Sequence, residues 1–199
     1  MSNPQLILAS ASPRRLELLQ QIGLQPLVVP ADIDETEELN ESAQDFVTRM
    51  AIEKAAVVAA LHEHAVVIGS DTSIDLDGEI IGKPENFDDA MTILKKLSAR
   101  SHLVHTGVAL QMGNKAASTV VTSEVSFRSL SDAEIANYWH SGEPQGKAGA
   151  YAIQGIGSVF IEKITGSYSA IMGLPLFETA AMLTNFGIPV LQHGSAINE

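Results

Sequence analysis

The segment SASPRR at 10–15 sets two hydroxyls beside two adjacent guanidiniums. If a strand ends at Ser10 and a helix begins at Pro13, free backbone N–H groups and the positive end of the helix dipole face the strand's exit. The forks of Arg14 and Arg15 then suit phosphate oxygens. The plainer alternative is that Ser12 only caps the helix and the arginines are solvated. The second signal is GSDTS at 69–73, a carboxylate just after an apolar run. At the carboxyl end of a buried strand Asp71 would lie in the usual ligand crevice of an α/β sheet, as a base or a metal ligand. In a turn it would bond only its own backbone.

Lys54 and Lys83 are the remaining cations that a phosphate site could use, although an isolated lysine is ordinarily a solvated surface charge. The string GEIIGKP does not make a P-loop: only three residues separate its glycines, and Pro84 stands where a Ser or Thr would hold Mg²⁺. The acidic run Asp32, Asp34, Glu35, Glu37, Glu38 could supply a hard oxygen ligand for Mg²⁺ or Mn²⁺ while most of its members face solvent. His62-Glu63-His64 has zinc-binding donor types but suits a solvated helix end better. His102, His105, His140 and His193 show no metal-ligand spacing.

These residues need elements to hold them. QLILA (5–9) is expected as a short buried strand, followed by a helix with Ser12 as N-cap, Pro13 first, an apolar stripe of Leu16, Leu19 and Ile22, and Gly23 past its end. LVV (27–29) is a second strand. From Ser42, the pattern Ala43, Phe46, Val47, Met50, Ala51, Val57, Val58, Leu61 predicts a long helix carrying Arg49 and Lys54. AVVIG (65–69) is a buried strand with Asp71 and Thr72 at its end, and Asp77-Gly78 turns the chain into EII (79–81).

A helix is expected from Asn86 to Leu97, then a hairpin of HLVHTGVALQM and KAASTVVTSEVSF around Gly113-Asn114. Ser131 with Glu134 forms a capping box for a helix ending near Gly142. Seven of the 15 glycines fall between 142 and 173, among strand-like AYAI and SVFIEKI, which points to tight turns or backbone close to a ligand. A last helix runs from Pro175 to near Gly187. Helices interleaved with strands and hairpins predict an α/β fold with a mixed twisted sheet and flanking helices.

The 199 residues comprise 12 Lys+Arg, 24 Asp+Glu and no Cys, for a net charge of -12. Cysteine chemistry is excluded. A nucleic-acid polymer is disfavoured as a partner, because its binding draws on phosphate neutralisation by Lys and Arg. A small polyphosphate is compatible if the few cations converge, with a bound metal helping to screen it. No run reaches the roughly 18 apolar residues of a membrane span. LILA is too short for a signal peptide and precedes its arginines, so a cytoplasmic protein is expected. A length that buries roughly 70% of the unfolded surface suits one domain, 1–199, with two lobes around a central cleft.

Taken in order, LILASASPRRLELLQQIG, IDE at 33–35, EKA at 53–55, GSDT at 69–72, GKP at 82–84, HTGVAL at 105–110, GEPQGKAGAYAIQGIG at 142–157 and GSYSAIMGLPL at 166–176 resemble the Maf family along nearly the whole chain. The resemblance implies the inosine-triphosphatase-like α/β fold and a metal-dependent nucleoside triphosphate pyrophosphatase. GSYSAIMGLPL with Gln154 resembles the branch acting on dTTP and UTP. By motif, Asp71 corresponds to the proton acceptor, and Arg14, Thr72 and Gln154 to positions that tune base choice. Ser10, Arg15, Glu35, Lys54 and Lys83 match the other polar cleft positions.

The implied reaction is attack of water on the α-phosphorus, giving the monophosphate and pyrophosphate. Arg14, Arg15, Lys54 and Lys83 are expected to offset the charge that develops. Asp71 is expected to activate water, and Glu35, with or without Asp71, to hold Mg²⁺ or Mn²⁺. A Gln154 amide offers the donor–acceptor pair complementary to the uracil or thymine edge. The resemblance also suggests a homodimer. The family's link to septum formation leaves a second reading, a nucleotide-binding regulator of cell division that acts through a protein partner.

Overall fold

The computed structural model describes residues 4–190, so His193 lies outside the described residues. Strands β1 (Leu6–Leu8), β2 (Leu27–Val28), β3 (Val66–Leu76), β4 (Glu79–Ile81), β5 (Ser101–Met112), β6 (Lys115–Phe127) and β7 (Ile161–Thr165) form one sheet. Its order is β2-β1-β3-β5-β6-β7, with β4 paired to β3. β1 runs parallel to β2 and β3, and the β3–β5, β5–β6 and β6–β7 pairs are antiparallel. The helices are α1 (Pro13–Gln21), α2 (Ala43–Ala59), α3 (Phe87–Leu97), α4 (Asp132–His140), α5 (Tyr168–Met172) and α6 (Leu176–Asn185). The fold is therefore α/β with a mixed sheet and flanking helices, as the pattern of elements predicts.

Local chemistry explains most boundaries. β1 is three apolar residues buried throughout, as befits a strand with parallel neighbours on both sides. Pro13 opens α1, and Gly23 follows it at φ 82°. Ser42 and Asn86 accept from the backbone N–H of Asp45 and Asp89 to start α2 and α3, and Ser131 with Glu134 closes the expected capping box of α4. The cap on α1 differs from expectation. Ser12 makes no side-chain cap bond; its own N–H donates to Ser10 Oγ at 3.2 Å.

The close approach of α2 to the sheet sets where Lys54 stands in the cleft. A Cβ on Gly69 would lie 2.2 Å from the Ala51 carbonyl oxygen, and one on Gly107 would lie 2.3 Å from that of Val47. Two glycines on adjacent strands thus let a helix backbone rest directly on the sheet.

Three segments depart from the sequence pattern. β3 runs on through Asp71 to Leu76, so Asp71 and Thr72 lie mid-strand, paired with Gly107 and Thr106, and not at a strand end. The polar run is tolerated because its side chains find partners on β5 and α2. AYAI is not a strand: positive φ at Gly149 (68°) and Ala150 (57°) breaks the extended path, and 148–150 form a 3-10 turn. Residues 156–160 also form a 3-10 turn, leaving only Ile161–Thr165 extended. Leu61 falls beyond the end of α2 and is exposed, as is Val57 within it.

The two largest apolar clusters form on the long strands. One gathers Ile74, Leu76, Val104, Val125 and Phe127 under α3 and α4; the other gathers Val66, Ile68, Val108 and Leu110 with Leu18, Leu19 and Leu183. On β3 and β5 the stretch from Ser70 to Ser73 and the facing His105 to Gly107 separate them. The cleft opens over that polar divide.

Candidate active site

Lys54, on the buried face of α2, is 6% exposed and would be costly to bury alone. Its Nζ donates to Asp71 Oδ1 at 2.7 Å and lies 2.8 Å from Glu35 Oε1. Asp71 is itself buried, whereas the Glu35 side chain is half exposed at the cleft. Asp71 Oδ2 accepts no hydrogen bond among the described residues. Burial on its own would raise the Glu35 pKa, but the Lys54 hydrogen bond and charge, with Lys83 and Arg15, outweigh it and hold the carboxyl below its ordinary value.

Arg15 reaches across the cleft floor, its Nε donating to the Gly173 carbonyl at 2.9 Å and its Nη1 to Ser10 Oγ at 3.0 Å. Desolvation lowers its pKa and the Asp71 charge partly restores it; a guanidinium remains cationic regardless. Ser10 Oγ, accepting from both Arg15 and the Ser12 N–H, keeps its own proton for a ligand.

A proton count orients Thr72. The Thr106 hydroxyl donates to the Ala170 carbonyl at 2.7 Å, so the 3.0 Å contact between the two threonines must be a bond from Thr72 to Thr106. Thr72 then shows only acceptor lone pairs to the cavity. Ser70 Oγ bonds the Gly107 and Gly173 carbonyls and ties β3 to β5 and to the end of α5.

These groups line one cavity of about 550 Å³, inside the roughly 300–1,000 Å³ range of small-ligand sites. Ser10, Arg14, Arg15, Glu35, Lys54, Asp71, Thr72, Lys83 and Gln154 all contribute to its wall. Lys83 stands on the loop after β4 and Gln154 on the loop before the second 3-10 turn, both exposed. Sequence reasoning passed over Lys147, Phe46 and Tyr151, which also line it, and the supporting hydroxyls of Ser70 and Thr106. Lys147 lies in the Gly-rich 142–173 stretch and in the GEPQGKAGAYAIQGIG string that carries the family resemblance, and these were the signals that could have found it. By contrast, His62, Glu63 and His64 sit in a separate shallow surface depression. Among the described residues no group of three His, Cys, Asp or Glu is arranged to hold a metal ion.

The distribution of charge is the site's most telling feature. Arg49, Lys54, Lys95, Lys96, Arg100 and Arg128 each have a carboxylate within ion-pair distance. The other six cations form no ion pair among the described residues, although acidic groups outnumber basic ones two to one. Of those six, Arg14, Arg15, Lys83 and Lys147 line this cavity. An arrangement that leaves cations unneutralised in a cleft of an acidic protein suits a polyanionic ligand.

A family model described as "Maf-like protein" matches residues 5–186. The protein named "dTTP/UTP pyrophosphatase" from Colwellia psychrerythraea is 49% identical over 191 residues, covering 94% of this chain and 90% of that one. Its namesake from Myxococcus xanthus is 49% identical over 185 residues, covering 93% and 94%. The solved Ham1 protein of Staphylococcus aureus aligns at a TM-score of 0.44 with 17% identity, over 64% of this chain and 72% of that one. The cavity wall falls entirely inside the span that the family model covers, and with identity near one half along almost its full length the chain belongs to the Maf family.

Proposed function

We propose that this protein is a nucleoside triphosphate pyrophosphatase that hydrolyses dTTP and UTP to the monophosphate and pyrophosphate. The single observation that carries the reading is the gathering of unpaired cations beside the Lys54–Asp71 pair in one cavity. The names of its Maf relatives supply the substrate class.

In this mechanism Asp71 Oδ1 is held by Lys54 while Oδ2 orients a water and takes its proton as the water oxygen bonds to the α-phosphorus. The bond from the α-phosphorus to the bridging oxygen breaks, and pyrophosphate departs. Arg14, Arg15 and Lys83 offset charge on the phosphoryl and leaving oxygens; such fixed charges act strongly in a partly desolvated cleft. Glu35 and Asp71 are hard oxygen donors, and one or two carboxylates completed by substrate phosphates and water are what Mg²⁺ usually takes. These two residues would hold Mg²⁺ or Mn²⁺. A bound divalent ion supplies phosphate neutralisation and a more acidic water.

Base choice follows from donors and acceptors. Uracil and thymine present an N3–H between carbonyls; Thr72 offers acceptor lone pairs, and the Gln154 amide offers both a donor and an acceptor. Cytosine, whose N3 is an acceptor, leaves the Thr72 lone pairs opposed. The homodimer that the family resemblance suggests, and a cytoplasmic setting, are part of the same proposal. No helix among the described residues is long and apolar enough to cross a membrane.

The test is a panel of the eight common triphosphates with Mg²⁺ or Mn²⁺, scored for pyrophosphate against orthophosphate. Pyrophosphate release that is highest for dTTP and UTP is expected. Orthophosphate as product, or binding without turnover as a division regulator would show, overturns the proposal.

A further inference from the structure

We propose that Lys147 is a phosphate-binding residue of this site, an ammonium delivered from the loop after α4 to the polyphosphate of the substrate. The inference rests on the reaction proposed above and adds a residue to it. Lys147 lines the same cavity as Arg14 and has no carboxylate partner among the described residues. Glu143, the acid whose charge acts on Lys147, is committed elsewhere. Its Oε1 accepts from the Tyr138 hydroxyl at 2.7 Å and the Gly157 N–H at 2.9 Å, and its Oε2 accepts from the Ile156 N–H at 2.8 Å. Lys147 Nζ donates only to the Glu143 backbone carbonyl.

Desolvation and the like charge of Arg14 both disfavour the protonated lysine, and Glu143 only partly offsets them. Two cations facing one cleft from α1 and from the loop after α4, neither neutralised, make a standing repulsion that a polyanion between them would relieve. A pyrimidine base carries no charge to do so. An ammonium is a point donor well suited to phosphate oxygens.

The placement has a further logic. Lys147 and Gln154 stand on one segment whose closing turn is pinned by the Glu143 carboxylate. A single clamped loop thus presents an amide for the base and an ammonium for the phosphates, at a separation set by the protein and not by the ligand.

Lys147→Gln is the informative variant, since it keeps a polar side chain with an N–H donor but removes the charge, and Lys147→Arg restores charge. The expected result is a KM for dTTP and UTP raised about tenfold by Lys147→Gln. The inhibition constant of inorganic pyrophosphate should rise by a similar factor, the UTP-to-CTP preference should stay unchanged, and Lys147→Arg should recover most of the loss. Wild-type KM and pyrophosphate inhibition in Lys147→Gln would overturn the proposal, as would an altered base preference with unaltered pyrophosphate inhibition. If the wild-type protein releases no pyrophosphate from any triphosphate, the reaction itself is wrong; calorimetric binding of inorganic tripolyphosphate to wild type and variant then decides Lys147 separately, equal affinities removing it.

Discussion

Asp71 is the residue on which the proposed chemistry turns. Asp71→Asn keeps an oxygen for Lys54, and Glu35 still pairs with that buried ammonium, so the fold should survive. Turnover should drop by about 10²-fold or more, the usual scale for losing a positioned base; steady-state pyrophosphate release checks it, and near-wild-type rates would remove Asp71 from the role. A second prediction concerns His102, buried against Phe127 and Tyr151 with Nδ1 unpartnered among the described residues. Burial pushes its pKa from 6.5 down to about 4. Below pH 6.5 the unfolded chain therefore binds a proton that the native one refuses, and stability falls as pH drops toward 4, by up to about 3 kcal/mol. His102→Gln, which can still meet the Tyr151 hydroxyl, should flatten that slope in urea midpoints measured across this range. At this scale the cations Arg14, Arg15, Lys54 and Lys83 were legible because Lys and Arg are scarce in so acidic a chain, and Asp71 because it follows an apolar run, whereas Ser10, Thr72 and Gln154 were singled out only through the family resemblance. Thr106 and Ser70 were not, since they act through backbone carbonyls far away in sequence.

The element that sets the site's geometry is α2. It carries Lys54 and lies on Gly69 and Gly107 with no room for a Cβ against the Ala51 and Val47 carbonyls. Gly69→Ala must push the helix away, because the atoms in the way are backbone. A displacement of about 1 Å can cost on the order of 10²-fold in rate, and overpacking about 1–3 kcal/mol. Both kcat and the denaturant midpoint should therefore fall together; a variant with normal kcat would mean that Lys54 needs no such positioning. Capped helices and the β5–β6 hairpin were readable from caps, periodicity and turn residues. β3 was read too short because Ser70 to Ser73 look like a turn until their partners on β5 and α2 are known. AYAI and the start of SVFIEKI were read as extended because their apolar content matches a buried strand, whereas the positive φ at Gly149 and Ala150 and the 3-10 turn at 156–160 break the path. The five-residue α5, capped by Ser167, is too short to show a period.

Across the whole molecule the net charge is -12, yet four cations without ion-pair partners face one cavity. A polyphosphate is repelled at long range and attracted only near the mouth, and these opposing effects are screened together over a Debye length of roughly 10 Å at 0.1 M salt. The expected outcome is a kcat/KM that changes less than about threefold between roughly 20 and 150 mM NaCl. A steep decline over that range would instead mean that attraction dominates the approach. The margins of the sheet carry one more implication. β2 offers two residues at one border, and β7 at the other shows Glu162 and Lys163 to solvent. Neither is a long, flat, uncharged template, so these two margins resist the edge-to-edge stacking that seeds fibrous polymerisation.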